Sequence, residues 1–444
     1  MTTSTDSTAI LRNLEFRALL GERLTNALAA TALATVIGYQ IYQVTHNPLA
    51  LGLLGLVEAI PALGLALFGG HVADRGDRRL IVLVTSAVNV VCAGAFAVIS
   101  ATPTLMGLTA LLAVIFVSGL ASGFFRPALS AFEAQVIPLA QAARGQSWMS
   151  SVGLAGGIIG PALGGIAYAL IGAVGSYTLI AVLFAISVIC LSQISRKERP
   201  EVKHDESMWQ SIAQGATYVA GNQYLVGSMA LDLFAVLFGG AMAMLPIFAS
   251  DILKVGSVGL GFLRVAPTLG ALLVTLLGTR RPPTTHAGRN LFLSVAGFGL
   301  SIIVFALSQN IVLSFLALFF SGVTDGISMI IRGLIVRIMS PEQMRGRIAS
   351  VSWVFIGASN EIGAFESGIA ASLLGVAPSV FWGGVVTLIV VGLTAVLAPK
   401  LRVLNLDAHQ IDASATQKVP AEAAAEAAEA SGDVRAAATL GEGL

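Results

Sequence analysis

The sequence predicts an all-α protein that threads a lipid bilayer about twelve times, in two pseudo-symmetric six-helix halves. Three observations carry that prediction. Of the 444 residues, 56% are hydrophobic and only 11% are charged, against about 25% charged in an ordinary soluble domain. Apolar runs long enough to cross a ~30 Å hydrocarbon core recur along the chain. Finally, a shift of 206 residues (227 minus 21) lays Gly21 on Gly227, Leu54 on Leu260, Gly55 on Gly261, Pro61 on Pro267, Leu63 on Leu269 and Gly64 on Gly270. Further on, Phe116, Ser118, Gly119 and Gly123 fall on Phe319, Ser321, Gly322 and Gly326. Parallel repeats of this kind are related by an axis along the membrane normal.

Charge placement sets the expected orientation. The net charge of +1 gives no sign of a nucleic-acid partner, yet Lys and Arg crowd into alternate loops, around Arg75–Arg79, Arg144, Arg196–Arg199, Arg280–Arg289 and Arg337–Arg347. The loops near His46, Pro103, Gly175, Asn310 and Pro378 have none. The positive-inside rule then puts both termini in the cytoplasm of a cell whose cytoplasmic (inner) membrane the chain spans. Met1–Ile10 lacks a signal peptide's basic start and cleavage site, so the first span is expected to stay in place. Cys92 and Cys190 sit inside apolar runs and suggest packing, not a disulfide.

The spans are expected near 16–42, 49–73, 80–101, 105–125, 147–171, 176–194, 224–250, 257–279, 289–308, 311–332, 348–372 and 377–398. That divides the chain into a cytoplasmic N-terminus (1–15), a first half (16–194), a linker (195–223), a second half (224–398) and a low-complexity Ala/Glu-rich cytoplasmic tail (399–444) read as dispensable. The first span opens with Glu22 and Arg23, placed near the headgroups where long side chains snorkel, with Asn26 deeper; the second carries Glu58 halfway along.

Between the second and third spans runs Gly69-Gly-His-Val-Ala-Asp-Arg-Gly-Asp-Arg-Arg79. Gly70, Asp74, Arg75, Arg78 and Arg79 resemble the loop signature Gly-x-x-x-Asp-Arg-x-Gly-Arg-Arg of the major facilitator superfamily, with Asp77 where the signature has glycine. The resemblance implies a major facilitator fold, and it implies that Asp74 caps or pairs with a neighbouring helix end in one state of an alternating-access transporter and releases it in the other. Read without the resemblance, the loop is a positive-inside marker.

The fourth span ends at Ser118-Gly-Leu-Ala-Ser-Gly-Phe-Phe-Arg126-Pro127 and has no arginine deeper than Arg126. The arginine that drug-antiporter branches of the family carry deeper in this helix therefore has no counterpart. In the fifth span, Gly156, Gly160, Pro161, Gly164 and Gly165 match the family's Gly-x-x-x-Gly-Pro-x-x-Gly-Gly, which the resemblance associates with exporters. Glycines four apart make a side-chain-free helix face, and the same pattern also serves as a plain packing groove. The linker places Met208, Trp209, Ile212, Ala216 and Val219 on one helical face, with Ser207 and Gln210 as a capping box, and reads as an interfacial helix. The segment Arg345–Gly368, containing Asn360, Glu361 and Glu366, resembles the subfamily of the bacterial enterobactin exporter and related multidrug exporters.

Six ionisable residues fall inside the predicted spans: Glu58, Asp232, Arg264, Asp325, Glu361 and Glu366. Each costs about 2.5–3.5 kcal/mol or more at the centre of an isolated helix, so each needs a partner or water. The third, sixth, ninth and twelfth spans, outside the cavity in this superfamily, have none. Asn26 and Asp232 are one repeat apart, as are Glu58 and Arg264, so Asn26 is expected to bond Glu58 and Asp232 to pair with Arg264. No metal-ligand spacing links the five histidines and no phosphate-cradling Gly-x-x-x-x-Gly-Lys-Ser/Thr loop is present, which argues against an enzyme, a cofactor or ATP as the driver. Desolvation penalises a charged carboxylate, so one in an apolar cavity can load a proton on one side and lose it when a cation or a water file arrives.

The reading is a monomeric, proton-coupled exporter of small amphipathic molecules. Glu361, Asp232 and Asp325 are expected to carry protons, and Asn26, Glu58, Arg264, Asn360 and Glu366 to line the substrate cavity. The loop residues Gly70, Asp74, Arg75, Arg78 and Arg79 and the fifth-span motif are expected to gate. Five carboxylates against one arginine favour a cationic or zwitterionic drug-like substrate over an anionic siderophore. Uptake by proton symport and a non-transporting membrane scaffold are the competing readings.

Overall fold

The computed structural model describes residues 9–197, 208–278, 283–341 and 344–406, and among them there is no β-strand. The first half consists of α1 (Leu14–Thr45), α2 (Pro48–Arg75), α3 (Arg78–Ala101), α4 (Leu108–Val136) and α5 (Ala142–Ser192). After α6 (Met208–Gly221) the second half runs through α7 (Gln223–Phe238), α8 (Ala241–Ile247), α9 (Gly256–Gly278), α10 (Ala287–Leu307), α11 (Ile311–Met339), α12 (Arg345–Leu374) and α13 (Val376–Leu397), closed by the short α14 (Pro399–Arg402).

Ten segments are long and apolar enough to cross a membrane. Counting α5 twice and adding the more polar α12 makes them twelve. α5 crosses twice because Gly172, at φ +65°, breaks its 51 residues into two arms; a left-handed backbone there suits glycine alone. Asparagines start four of the spans: Asn13, Asn47, Asn222 and Asn310 each accept a hydrogen bond from the first free backbone N–H groups of their helix.

Repeated glycines explain the repeated sequence. A Cβ at Gly119 of α4 would meet the Pro61 ring of α2 at 2.7 Å, and one at Gly322 of α11 would meet the Pro267 backbone of α9. Gly123 and Gly326 sit one turn further along the same two crossings. Each half thus packs its fourth helix onto its second, backbone against backbone.

Two helix crossings make the most extensive contacts between the halves. α2 meets α12 where the Cα of Gly368 lies 3.1 Å from where a Cβ of Gly52 would stand, and α5 meets α9 at Gly165 and Gly261. One apolar core, including Ile41, Tyr42, Tyr177, Phe248 and Phe305, runs through both halves at the end away from the arginine-rich loops. At the arginine-rich end each half has its own core, one around Phe16, Phe132 and Met149 and the other around Leu225, Leu291 and Leu401. The bundle is sealed at one end and split at the other.

Several boundaries differ from the sequence reading. α4 continues to Val136 with Pro127 inside it, and α11 continues to Met339, so Arg126 and Arg332 lie within helices rather than at their ends. The seventh span breaks at Gly239-Gly240 and ends in a π turn over Phe248–Ile252. Residues 399–406 are not solvated tail: Leu401, Leu404 and Leu406 are buried in the second-half core, and Gly288 N–H donates to the Leu404 carbonyl. The rest of the tail, Ser207 of the expected capping box and Arg199 lie outside the described residues. The linker helix α6 buries Val219 and donates from the Tyr218 hydroxyl to the Met339 carbonyl, while Ala216 is exposed. Its buried side faces protein.

Candidate functional site

Between the halves lies a two-lobed cavity. One lobe, about 560 Å³, is lined mostly by second-half helices and includes Asp232, Arg264, Asp325, Asn360 and Glu361. The other, about 610 Å³, lies in the first half and includes Arg23, Asn26, Arg126, Gln146 and Glu133. Glu58, Ala34 and Leu54 line both lobes, so Glu58 stands where they meet. These volumes suit a drug-sized ligand. The unwound Gly239-Gly240 pair also lines the second-half lobe, as irregular backbone at membrane depth must line a cavity or be buried in protein.

Two charged clusters occupy the lobes. In the second half Arg332 of α11 forms ion pairs with both Asp232 of α7 and Asp325 of its own helix. The expected Asp232–Arg264 pair does not form, because Arg332, further along α11, reaches Asp232 first. Near the junction, Glu361 stands within Coulombic range of Glu58 and Arg126. A Cβ at Gly55, one turn before Glu58, would lie 2.8 Å from Glu361 Oε2, so the α12 carboxylate is seated directly on α2 of the other half. Asn26 and Glu58 share the first-half lobe without a hydrogen bond between them. Glu366 lines neither lobe and accepts from Ser367 at 3.5 Å.

Glu22 departs furthest from expectation. It is fully buried, not interfacial, and neither carboxylate oxygen has a hydrogen-bond partner. It faces Glu133 of α4, with the Ser187 hydroxyl of α5 nearby but outside hydrogen-bonding geometry.

The sealed end is latched. The Tyr42 hydroxyl of α1 donates to Asp251 in the π turn, Gln43 donates to Ser250 at 3.1 Å, and the Ser257 hydroxyl of α9 donates to the Gly165 carbonyl at 2.9 Å. All three cross between halves. Nothing in the sequence pointed to Tyr42 or Asp251, which are ordinary span-end residues until the fold opposes them.

The fifth-span glycines divide their work. Gly156, Gly160 and Gly164 face α1 within their own half, against Ala27, Thr31 and Ala32, whereas Gly165 faces α9. Pro161 is buried inside α5, and its carbonyl lies 2.6 Å from where a Cβ of Gly261 would stand. In the α2–α3 loop the motif residues also redistribute. A Cβ at Gly70 would meet nothing within 4 Å, while its neighbour Gly69 carries the close approach to Gly123. Asp74 is mostly exposed and, among the described residues, pairs only with Arg78, at 3.5 Å. Asp77, the departure from the signature, makes a cap and an ion pair here: it accepts from Leu80 N–H at the start of α3 and binds Arg196 at 2.8 Å. Arg79 donates to the Ser192 and Ile194 carbonyls at the end of α5, and Arg78 to those of Ala73 and Ala131. Arg75 closes α2.

Arg126 and Arg332 were legible as residues but not as site residues. Each ended an apolar run, and Pro127 read as a helix stop. A proline in a membrane helix is tolerated where neighbours satisfy the freed carbonyl, so the helix continues past it.

The sequence profile of the Major Facilitator Superfamily matches residues 23–364. The chain is 27% identical over 366 residues to the "Enterobactin exporter EntS" of Escherichia coli O1:K1 / APEC, covering 81% of this chain and 84% of that protein. The same values hold for the protein of that name in Shigella boydii serotype 18. Among solved structures, a bacterial homologue of the human lysosomal transporter Spinster, described as inward-facing and unoccupied, superposes with TM-score 0.67 at 13% identity, covering 90% of this chain and 97% of that one. A POT family transporter in complex with 5-aminolevulinic acid gives TM-score 0.68 at 13% identity, covering 87% and 96%. At such identities the superpositions speak to the fold alone.

Proposed function

The chain belongs to the major facilitator superfamily, and from that premise we propose that it is a secondary active exporter that moves small amphipathic molecules by alternating access in exchange for protons. The observation that carries this reading is the cavity between the halves, with one continuous apolar core above it and two separate cores below. With the arginine-rich loops in the cytoplasm, as their charge favours, the split end faces the cytoplasm and the cavity is poised to load from inside.

Coupling is assigned to Glu361. Its carboxylate lies on α2, at the contact that must slide when the halves rock, and close to Glu58. Two like charges in a water-poor cavity repel strongly, so a proton gained or lost there changes the free energy of that contact. Asp232 and Asp325 are the second candidates, since a proton on either would loosen its hold on Arg332.

The substrate reading shifts with the arginines. Arg126, Arg332 and Arg23 join Arg264, so the excess of carboxylates expected from sequence is largely offset. A drug-like zwitterion fits this balance better than a simple cation, and a siderophore is favoured by the name of the curated relatives. A resistance and accumulation screen in a pump-deficient host, with and without a protonophore, identifies the compound. Glu361→Gln is then expected to abolish uphill accumulation in inverted vesicles while downhill exchange persists. Full pH-driven accumulation in that variant moves the coupling site to Asp232 and Asp325, and flux of no compound in the wild type removes the transporter reading.

A further inference from the structure

Among the described residues, each charged group that lines the cavity has a counter-charge except one. Asp232 and Asp325 share Arg332. Glu58 and Glu361 share the field of Arg126, and Glu133 has that of Arg23. Arg264 has no ion pair and no side-chain hydrogen bond among the described residues, and its Nε is enclosed without any partner. The side chain leaves the first half of α9 and lies in the cavity wall, where one guanidinium nitrogen and the Pro246 ring of α8 are each 3.4 Å from where a Cβ of Gly38 would stand. Tyr42, which latches the sealed end to Asp251, is one helical turn beyond Gly38 on α1.

Removing a charge from water without a partner costs several kcal/mol, which native structures normally offset with a counter-ion. Among the described residues no side chain supplies one. The remaining source is what enters the cavity. We propose that Arg264 is the anion subsite of this cavity: the transported molecule carries a carboxylate or another planar oxyanion that the guanidinium fork binds. The inference rests on the exporter reading above and narrows its substrate class to molecules with an acidic group. Guanidinium and carboxylate match as parallel N–H to O bonds, which an ammonium group cannot reproduce. The apolar body of the ligand lies along Leu51, Leu54, Phe298 and Leu318, which line the same lobe. A basic group on the same molecule points to the Glu58–Glu361 side. An anion held at Arg264 sits beside the Tyr42 latch, the contact that must open for release.

The test uses the full-length purified chain and three matched probes: naphthoate, its neutral amide and the corresponding naphthylmethylammonium. Naphthoate is expected to bind about ten- to a hundredfold more tightly than the amide. Arg264→Gln removes that preference, and Arg264→Lys, a point charge without the fork, keeps part of it. A preference for the ammonium probe, no charge preference (including no binding of any probe), or an unchanged preference in Arg264→Gln each overturns the subsite. Ligand-free thermal melting provides an independent check. An unpartnered guanidinium predicts that Arg264→Met melts no lower than wild type, and clear destabilisation of both Arg264→Met and Arg264→Gln means that the residue has a structural partner, which also overturns it. In proteoliposomes, naphthoate that binds through Arg264 but is not moved by a pH gradient sinks the exporter reading and leaves the subsite. Proton-driven flux of the ammonium probe that ignores Arg264 does the reverse.

Discussion

In the first half, the turn between the second and third helices is held by ions; in the second half, the described part of the corresponding turn, residues 283–286, and the start of the helix after it are covered by leucines. Asp77 and Arg79 fasten the start of α3 to Arg196 and to the end of α5. Around the start of α10, Leu401, Leu404 and Leu406 fold back instead, Gly288 donates to the Leu404 carbonyl, and Leu406 donates to the Thr284 carbonyl. The membrane interior divides the same way. The second half ties Asp232 and Asp325 to Arg332 and leaves only Arg264 without an ion-pair partner among the described residues, whereas the first half leaves Glu58 and Arg126 facing the cavity. A shared backbone plan with unequal charge means that the halves need not contribute equally to stability or to coupling. Apolar burial and the enclosed Arg332–Asp232 pair are little screened by salt and costly to break, whereas an exposed clasp is weak and adjustable.

Cutting the chain probes this difference most severely. Ending it after Ala398 removes three buried leucines, each contributing about 1.5–3 kcal/mol, and exposes the core around Leu291. Extracted protein is expected to lose most of its fluorescence-detected monodisperse peak. Ending the chain after Leu406 is expected to leave melting temperature and flux unchanged. Equal behaviour of the two truncations would mean that the second-half clasp contributes nothing.

Arg332 gives the next largest effect. Replacing it with Gln strands Asp232 in the protein interior, at a cost of about 3–5 kcal/mol, and adding Asp232→Asn is expected to recover part of the loss because the uncompensated charge goes too. Arg126→Gln in the first half, where the side chain is exposed to the cavity, is expected to cost under about 1 kcal/mol. Thermal melts of the three variants beside the wild type decide it. Comparable losses at Arg126 and Arg332 would erase the asymmetry.

Much of this was legible in the sequence, and the failures share a cause. Hydropathy, the repeat and the loop signature specify the helices, their order and the close crossings at Gly119 and Gly322, because those properties belong to single positions. Which charge meets which does not. The repeat placed Glu58 and Arg264 at equivalent points, yet Asp232 pairs with a residue that hydropathy had left at a span's edge. Glu22 and Arg23 looked alike as snorkelling residues one position apart, but adjacent residues on a helix point about 100° apart, and one enters the core while the other lines the cavity. The unwound Gly239-Gly240 was missed because paired glycines are common in membrane helices, and only the facing Phe298 and Ser367 show why this pair cannot hold side chains.

The smallest expected effect belongs to Asp77, where the chain departs from its family's loop signature. Its carboxylate does two separable things: it caps α3 by accepting from Leu80 N–H, and it binds Arg196, whose side chain is 63% exposed. Asparagine caps as well as aspartate, so Asp77→Asn removes the ion pair alone, worth 0 to about 1 kcal/mol at an exposed site. Glycine, the signature residue, also gives up the cap, which adds only a few tenths. Both variants are expected to fold and transport, and the gap in melting temperature between wild type and Asp77→Asn is expected to close as salt rises towards ~1 M, where the Debye length falls to about 3 Å. The truncation after Ala398 and the Arg332→Gln loss, which depend on buried contacts, are expected to be indifferent to the same salt. If the Asp77 gap survives high salt, the clasp is not ionic, and the two halves fasten their turns by the same means after all.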